Sequence, residues 1–560
     1  MINVVKVLVI IYAFLGVFNH LNAQEDKLIQ VLEEEISREF EMLSKENPPV
    51  YYISYNVSDM TVHSLEASFG SLMNTNKNRS RVLNANVRVG DYSFDNSHNF
   101  QGSDRFNRYS GALPLPLDNI EASIKQTAWM ATDLGYKVAS SVFTMAERSA
   151  KEQNEVNDFS KEEVVTYIEP LIPQEKLDFD HSAWTNKIRS WSMAFQEDKD
   201  ILEGSVNFSY VHGVKYFIST EGARIRQNET RAEIQISASV RSSGGHIIPL
   251  HQNYFARFPG ELPDDGQIKK DIARLIEKLE ELKTAPVAEP FAGPAIFSGR
   301  SAGVFFHEIF GHRIEADRLK SKDDAQTFKE KIDKKVLPKF LNVTFDPTRE
   351  EFNGHYLTGN YKYDEEGVKS LKVVAVDDGI LKDFLRSRKP LLKGQHSNGH
   401  SRAQTGLNPV SRQSNMIITS DNQKDEDNLR KMLIKECKRQ DKKFGYYIKN
   451  VMGGYTMTNR YTPNAFSITP TEVYKIFVDG RPDELVRGVD LIGTPLTMFS
   501  EIEATGDAHE IFYGYCGAES GYVPVTAISP SIFVRKIETQ KKPEENMDKP
   551  ILTNPGTLTN

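Results

Sequence analysis

From Asp26 to Leu43 apolar residues return every three or four positions: Leu28, Ile29, Leu32, Ile36, Phe40 and Leu43 share one face, which predicts an amphipathic helix. The period then shortens. "VYYISYNVSD" from Val50, "RVLNANVRVGDYSF" from Arg81 and the stretch Ser205–Arg257 read as strands. Within the last, Ala232, Ile234, Ile236, Ala238 and Val240 alternate with polar neighbours, as in an antiparallel sheet with one wet face. Helical spacing covers Asn119–Gln196 and returns at Gln267–Leu282, where Ile268, Ile272, Leu275, Ile276, Leu279 and Leu282 line up. These elements predict an α+β fold, with an antiparallel sheet in a mixed N-terminal domain.

Three prolines and two glycines in "TAPVAEPFAGPAIFSG", Thr284–Gly299, mark the expected domain boundary. Beyond it a buried helix is expected, then a charged, mobile insertion at Lys320–Lys339 and a strand-rich remainder. "LKVVAVDDGILKDFL" and "VYKIFVDGRPDELVRGV" each set Asp-Gly between apolar alternations, a hairpin signal. "QHSNGHSRAQTGLNP" reads as a polar surface loop, and the residues from Gln540 onward as a disordered tail. The expected division is residues 24–285, an N-terminal α+β domain, 286–539, a C-terminal strand-rich domain carrying the buried helix, and 540–560, a tail.

Composition narrows the function. Of 560 residues, 39% are hydrophobic and 26% charged, as in a folded soluble protein of two or more domains. Residues 1–23 set one lysine before an apolar run from Val7 to Phe18 and end in Ala23, the layout of a secretory signal peptide, so the chain is expected to be exported to the periplasm or beyond. Their removal takes Lys6 and no acid, so 68 bases face 77 acids and the net charge moves from -8 to -9. A mildly acidic chain without basic blocks is a poor partner for nucleic acid. Only Cys437 and Cys516 remain, which allows one disulfide or a thiolate put to use.

The chemistry concentrates in "FFHEIFGHRIEADR", residues 305–318. Two histidines five apart diverge by about 140° on a regular α-helix. One extra residue in a widened turn would bring His307 and His312 together, and Gly311 sits where the backbone accepts it most easily. The neighbours Val304, Phe305, Phe306, Ile309 and Phe310 predict burial, where a lone Glu308 is costly unless paired, protonated or beside a metal. Zinc held by both imidazoles, with Glu308 as general base, accounts for all three residues. The bland alternative keeps hydrogen-bonded core histidines and pairs Glu308 with Arg313 or Arg318. A third ligand is needed, and Glu315, Cys516, His355, His396, His400 and His509 are candidates. Cys516 stands in "YGYCGAESGYVPV", a glycine-flanked turn. Cys437, on a charged helix, reads as a surface or half-buried thiol.

"AGPAIFSGRSAGVFFHEIFGHRIEADR", together with "GGYTMTNRYTPNAFSITPTEVYKIFVDGRPDELVRGVDLIGTPLTMFSEIEATGD" and "YCGAESGYVPVTAISPSIFVRKIE", resembles the TldD/PmbA family of metallopeptidases over about Pro294–Glu538. The resemblance implies a catalytically competent, TldD-like subunit. His307, His312 and Cys516 then match the ligands of Zn2+ and Glu308 the general base. Glu315 and Asp317 fall where acidic residues would orient the histidines, and His396, His400 and Arg402 lie in a loop that could contact substrate. It also implies a two-subunit particle, a homodimer or a heterodimer with a TldD/PmbA-like paralogue, that admits unfolded or extended peptides. An export signal departs from the family's well-known cytoplasmic members, and "GAESG" lacks the lysine of the family's turn. Two other functions stay open: a metallohydrolase of non-peptide amides, and a non-catalytic assembly or binding subunit.

Overall fold

The computed structural model describes residues 26–100, 111–149, 156–242, 244–324, 326–459, 466–493 and 495–542. The expected signal peptide lies outside them, as does the tail from 543; Gln540 and Lys541, by contrast, belong to the last strand, Gly521–Lys541.

The N-terminal half is built on a seven-stranded sheet. Val50–Ser68 lies between Ser71–Val89 and Ile201–Ser219, followed outward by Arg224–Arg241 and Ile247–Ala256, all antiparallel. The alternation that predicted these strands places Ile53, Tyr55, Val57, Ile234 and Ile236 in two apolar clusters. Helices Lys27–Leu43, Glu121–Ser149, His181–Met193 and Asp265–Thr284 cover that side, each apolar stripe facing the sheet. The helical stretch expected over Asn119–Gln196 is interrupted: Pro170 and Pro173 follow a short strand, Thr166–Ile168, that pairs in parallel with Arg224–Arg226.

The C-terminal half holds a twelve-stranded sheet, five strands of which close on themselves. Phe291–Phe297 pairs with Phe444–Thr456, then Phe466–Phe477, Val489–Gly493 and Gly521–Lys541 follow, and the last returns to pair with the first. Closure removes most of the edges, which suits a strand set this apolar, although Phe444–Thr456 meets Phe291–Phe297 only at Tyr446–Ile448. The hairpin signals hold in different ways. Asp378 and Gly379, φ 47° and 75°, form a two-residue turn joining Asp377 to Ile380. Around Gly480 the connection is longer, from Lys475 to Glu484. The insertion Lys320–Lys339 is not free of the body: Phe328 and Leu337 are buried in the main core.

Partly buried polar contacts join the halves. Arg388 carries its guanidinium to Glu221 at 2.8 Å and to the Ser160 carbonyl, and Lys215 reaches Glu365 at 3.2 Å.

Candidate metal centre

The helix Gly299–Ile309 begins at Ser298, whose hydroxyl accepts the Ser301 N–H at 3.1 Å. Two glycines let it lie close to the strand Gly521–Lys541: a Cβ at Gly299 would sit 2.3 Å from the Ser529 carbonyl oxygen, and one at Gly303 3.2 Å from Ala527. Phe305 and Phe306 pack against Phe297 and Phe499. Every residue of the helix apart from the partly covered Arg300 is buried, so the positions of His307 and Glu308 are fixed by packing.

The helix does not widen to carry His312. It ends at Ile309, and Gly311–Arg313 forms a 3₁₀ turn closed by the Arg313 N–H on Phe310 O and the Ile314 N–H on Gly311 O. The tighter turn re-aims His312 toward His307, with ring centroids 5.0 Å apart. Gly311 is required by proximity, not by an extra residue: a Cβ there would lie 1.9 Å from Gln413 Oε1. Arg313 donates to the carbonyls of Glu308 and Ile309 at 2.7 and 3.1 Å and so caps the helix end.

The sulfur comes from the far end of the chain. Cys516 lies on Ile502–Ala518, directly opposite Val523 in a hairpin whose two-residue turn is Glu519–Ser520. Its Sγ stands 3.5 Å from His312 Nε2, and the donor atoms of His307, His312 and Cys516 lie within 4.8 Å of one another, all buried. An ion at about 2.05 Å from nitrogen and 2.3 Å from sulfur in tetrahedral geometry sets those two donors about 3.6 Å apart. Two imidazoles and a thiolate are also the donor set that favours zinc over the hard cations. The residues fit the group. Among the described residues the other group of possible ligands, Asp198, Asp200 and Glu280, is partly exposed and already faces Lys283.

Glu308 lines the same cavity, its Oε2 4.0 Å from His312 Nε2. Gly454, on the strand Phe444–Thr456, makes room for it, since a Cβ there would come 2.7 Å from Glu308 Cγ. The cavity, of about 310 Å³, is rimmed by Tyr455, Tyr515 and Tyr522. A larger one of about 640 Å³ lies against the N-terminal sheet beside His63, His181 and His212 and shares no residue with it.

Electrostatics favour an ionised sulfur. Burial works against the Cys516 thiolate, but His312, His307 and Arg412 outweigh it and bring the thiol well below its usual value. Burial likewise disfavours the His312 imidazolium, and Cys516 and Glu315 reverse this, raising it to about 10. Glu315, fully buried, accepts from His312 Nδ1 at 3.1 Å and from Arg318 Nε at 2.7 Å. Burial alone would lift its carboxyl; His312 and Arg318 hold it at about 2. Cys437 is the opposite case: completely buried beside Leu429, Leu433 and Phe533 rather than at the surface, its thiol is pushed up to about 12 by burial. Neither cysteine is in a disulfide. Because a lowered pKa leaves thiolate at a pH where ordinary thiols are protonated, metal-free protein is expected to take up iodoacetamide at Cys516 near pH 7 and not at Cys437. Peptide mass mapping over time checks this; Cys437 labelling first would contradict it.

The other expected site residues disperse. Asp317 serves neither histidine: it accepts from Ser387 and stands 3.7 Å from Lys389. His396 is exposed and faces Glu162 of the N-terminal half at 3.3 Å. His400 is buried, donating to Asn398 O and accepting from Ser414, and burial lowers it to about 3. Arg402 is buried too, bonded to Gln413 O at 2.7 Å and set over Tyr361. The run expected to be a surface loop is interior from Ser397 to Ala403, where Asn398, His400 and Arg402 find polar partners. His355 is exposed, and His509 donates to Ile418 O at 3.0 Å. Sequence reading missed Arg412, Gln413 and Gly454. The glycine pair at 453–454 inside a strand is the one signal that pointed to a close approach.

A family profile described as the PmbA/TldA metallopeptidase C-terminal domain matches residues 292–541, the span that holds all three donors. Residues 292–541 belong to the PmbA/TldD family. Among the chain's relatives is Metalloprotease MJ0996 of Methanocaldococcus jannaschii, 28% identical over 66% of this chain and 78% of the relative. A protein named Zinc metalloprotease TldD homolog, of Saccharolobus solfataricus, is 26% identical over 58% of this chain and 68% of the relative. The fold also resembles the crystal structure of TldE from Thermococcus kodakarensis, with TM-score 0.61 and 13% identity over 91% of this chain and all of that one.

Proposed function

We propose that the chain is an exported zinc-dependent peptidase that cuts unfolded or extended peptides, with water as nucleophile and Glu308 as its general base. One observation carries this reading: the donors of His307, His312 and Cys516 converge, with Glu308 beside them, on the wall of an accessible cavity. The naming of a relative as a zinc metalloprotease supports the choice of ion. When bound, zinc supplies Lewis acidity that activates water and draws charge from a carbonyl. Glu308 then takes the proton of the attacking water and passes it to the leaving amine. Glu315 holds His312 through Nδ1, which leaves Nε2 directed at the centre.

Extended substrates suit the open side of Phe444–Thr456. That strand pairs with Phe291–Phe297 only at Tyr446–Ile448, so the edge running on to Gly454 is available for strand addition beside Glu308. We further propose that the working particle is a pair, either two copies or this chain with a TldD/PmbA-like paralogue, and that it acts after residues 1–23 are removed.

One preparation tests all of this. Protein recovered from the periplasmic and extracellular fractions is expected to begin at Gln24, run as a dimer on sizing, hold one zinc per chain and digest unfolded casein but not a folded domain. A chelator should stop digestion and zinc restore it. Zinc-loaded protein that leaves casein intact would refute the peptidase reading, and protein found only in the cytoplasmic fraction with Met1 retained would refute export.

A further inference from the structure

Arg412 is a charged side chain with no access to solvent, 0% exposed, in neither segment that carries the donors. Its guanidinium faces both. Nη1 donates to Ser520 Oγ at 2.7 Å and to Gly521 O at 3.0 Å, Nη2 donates to the carbonyl of Cys516, and Nε stands 3.8 Å from Glu315 Oε1. Its backbone is held in turn by His400 O at 2.8 Å.

Burying a guanidinium is costly, and an apolar side chain of similar volume would fill the space at less expense. What the guanidinium adds is a rigid planar fork of donors. Here two nitrogens of the fork bond three acceptors of the Cys516 hairpin, while the third faces, as an ion pair at 3.8 Å without a hydrogen bond, the carboxylate that orients His312. Arg318 makes a parallel link, from Glu315 Oε2 at 2.7 Å to Glu519 Oε2 at 2.8 Å, but it reaches the turn and not the cysteine itself.

We infer that Arg412 is a positioning residue for the metal centre: it clamps the Cys516 backbone against Glu315, so that Sγ and His312 Nε2 keep their separation before an ion arrives. The inference rests on reading His307, His312 and Cys516 as ligands.

The test uses the full chain loaded with Co2+ or Zn2+, in wild type, Cys516→Ser, Arg412→Met and Arg412→Lys. Sulfur-to-cobalt charge-transfer absorption reports the thiolate bond independently of turnover. Wild type should show the band and Cys516→Ser should lack it. Arg412→Met is expected to bind both ions about 10–100-fold more weakly, the range for partners that orient ligands, with a reduced band. Arg412→Lys, which keeps the charge without the fork, should fall between. Melting of the metal-free variants separates a lost clamp from a lost fold; if Arg412→Met does not fold, Arg412→Lys decides by the same two readouts. Wild-type affinity and a full band in the folded Arg412 variants overturn the positioning role while the ligand reading stands. A wild-type protein with no thiolate band, unchanged by Cys516→Ser, overturns the ligand reading itself.

Discussion

Glu308→Gln should bind zinc as wild type does and lose roughly 10²–10⁴-fold in kcat, the range for a positioned acid–base group. That loss corresponds to about 3–5 kcal/mol of transition-state stabilisation at about 1.4 kcal/mol per decade. The substitution is nearly isosteric, and the carboxylate is not one of the three converging donors. The cavity wall, the Gly454 contact at Glu308 Cγ and the Arg313 cap on the Glu308 carbonyl all survive it. What goes is the ability to accept a proton. The informative measurement pairs metal content with single-turnover rate on one sample: full metal with full rate would remove Glu308 from the chemistry, whereas loss of metal would make it a ligand.

Cys516→Ala acts one step earlier. It removes one of the three donors and the counter-charge that raises His312. Zinc affinity should fall by more than about 100-fold, the upper end of what an orienting partner contributes. Activity should vanish at zinc concentrations that saturate wild type. The fold should persist: Cys516 belongs to a small cluster with only Val523 and Val525, and the Ala518–Gly521 hairpin pairing does not involve its side chain. Equilibrium dialysis against a competing chelator reads the affinity, and near-wild-type binding would remove the sulfur from the donor set.

How much of this was legible beforehand divides along physical lines. Strands such as Arg224–Arg241 announce themselves because one face is apolar and the other wet, a period that local sequence records faithfully. The meeting of His307 and His312 was expected for the wrong geometric reason. A bulged helix and a helix ended by a 3₁₀ turn satisfy the same five-residue spacing, and only the packing of Gly311 against Gln413 separates them. The interior run Arg412–Asn415 defeated sequence reading altogether. Its four polar residues are at most 1% exposed, and their partners, among them Cys516 O, His307 O and Asp346 O, lie far away in the chain. No local pattern encodes such partners.

The centre draws its imidazoles from one side of a 204-residue separation and its sulfur from the other. That sulfur rides on Ile502–Ala518, held in place by Gly521–Lys541. On the proposed reading, a nascent chain that has passed His312 but not reached Cys516 holds both imidazoles and Glu308 without the sulfur, and its donor set is incomplete.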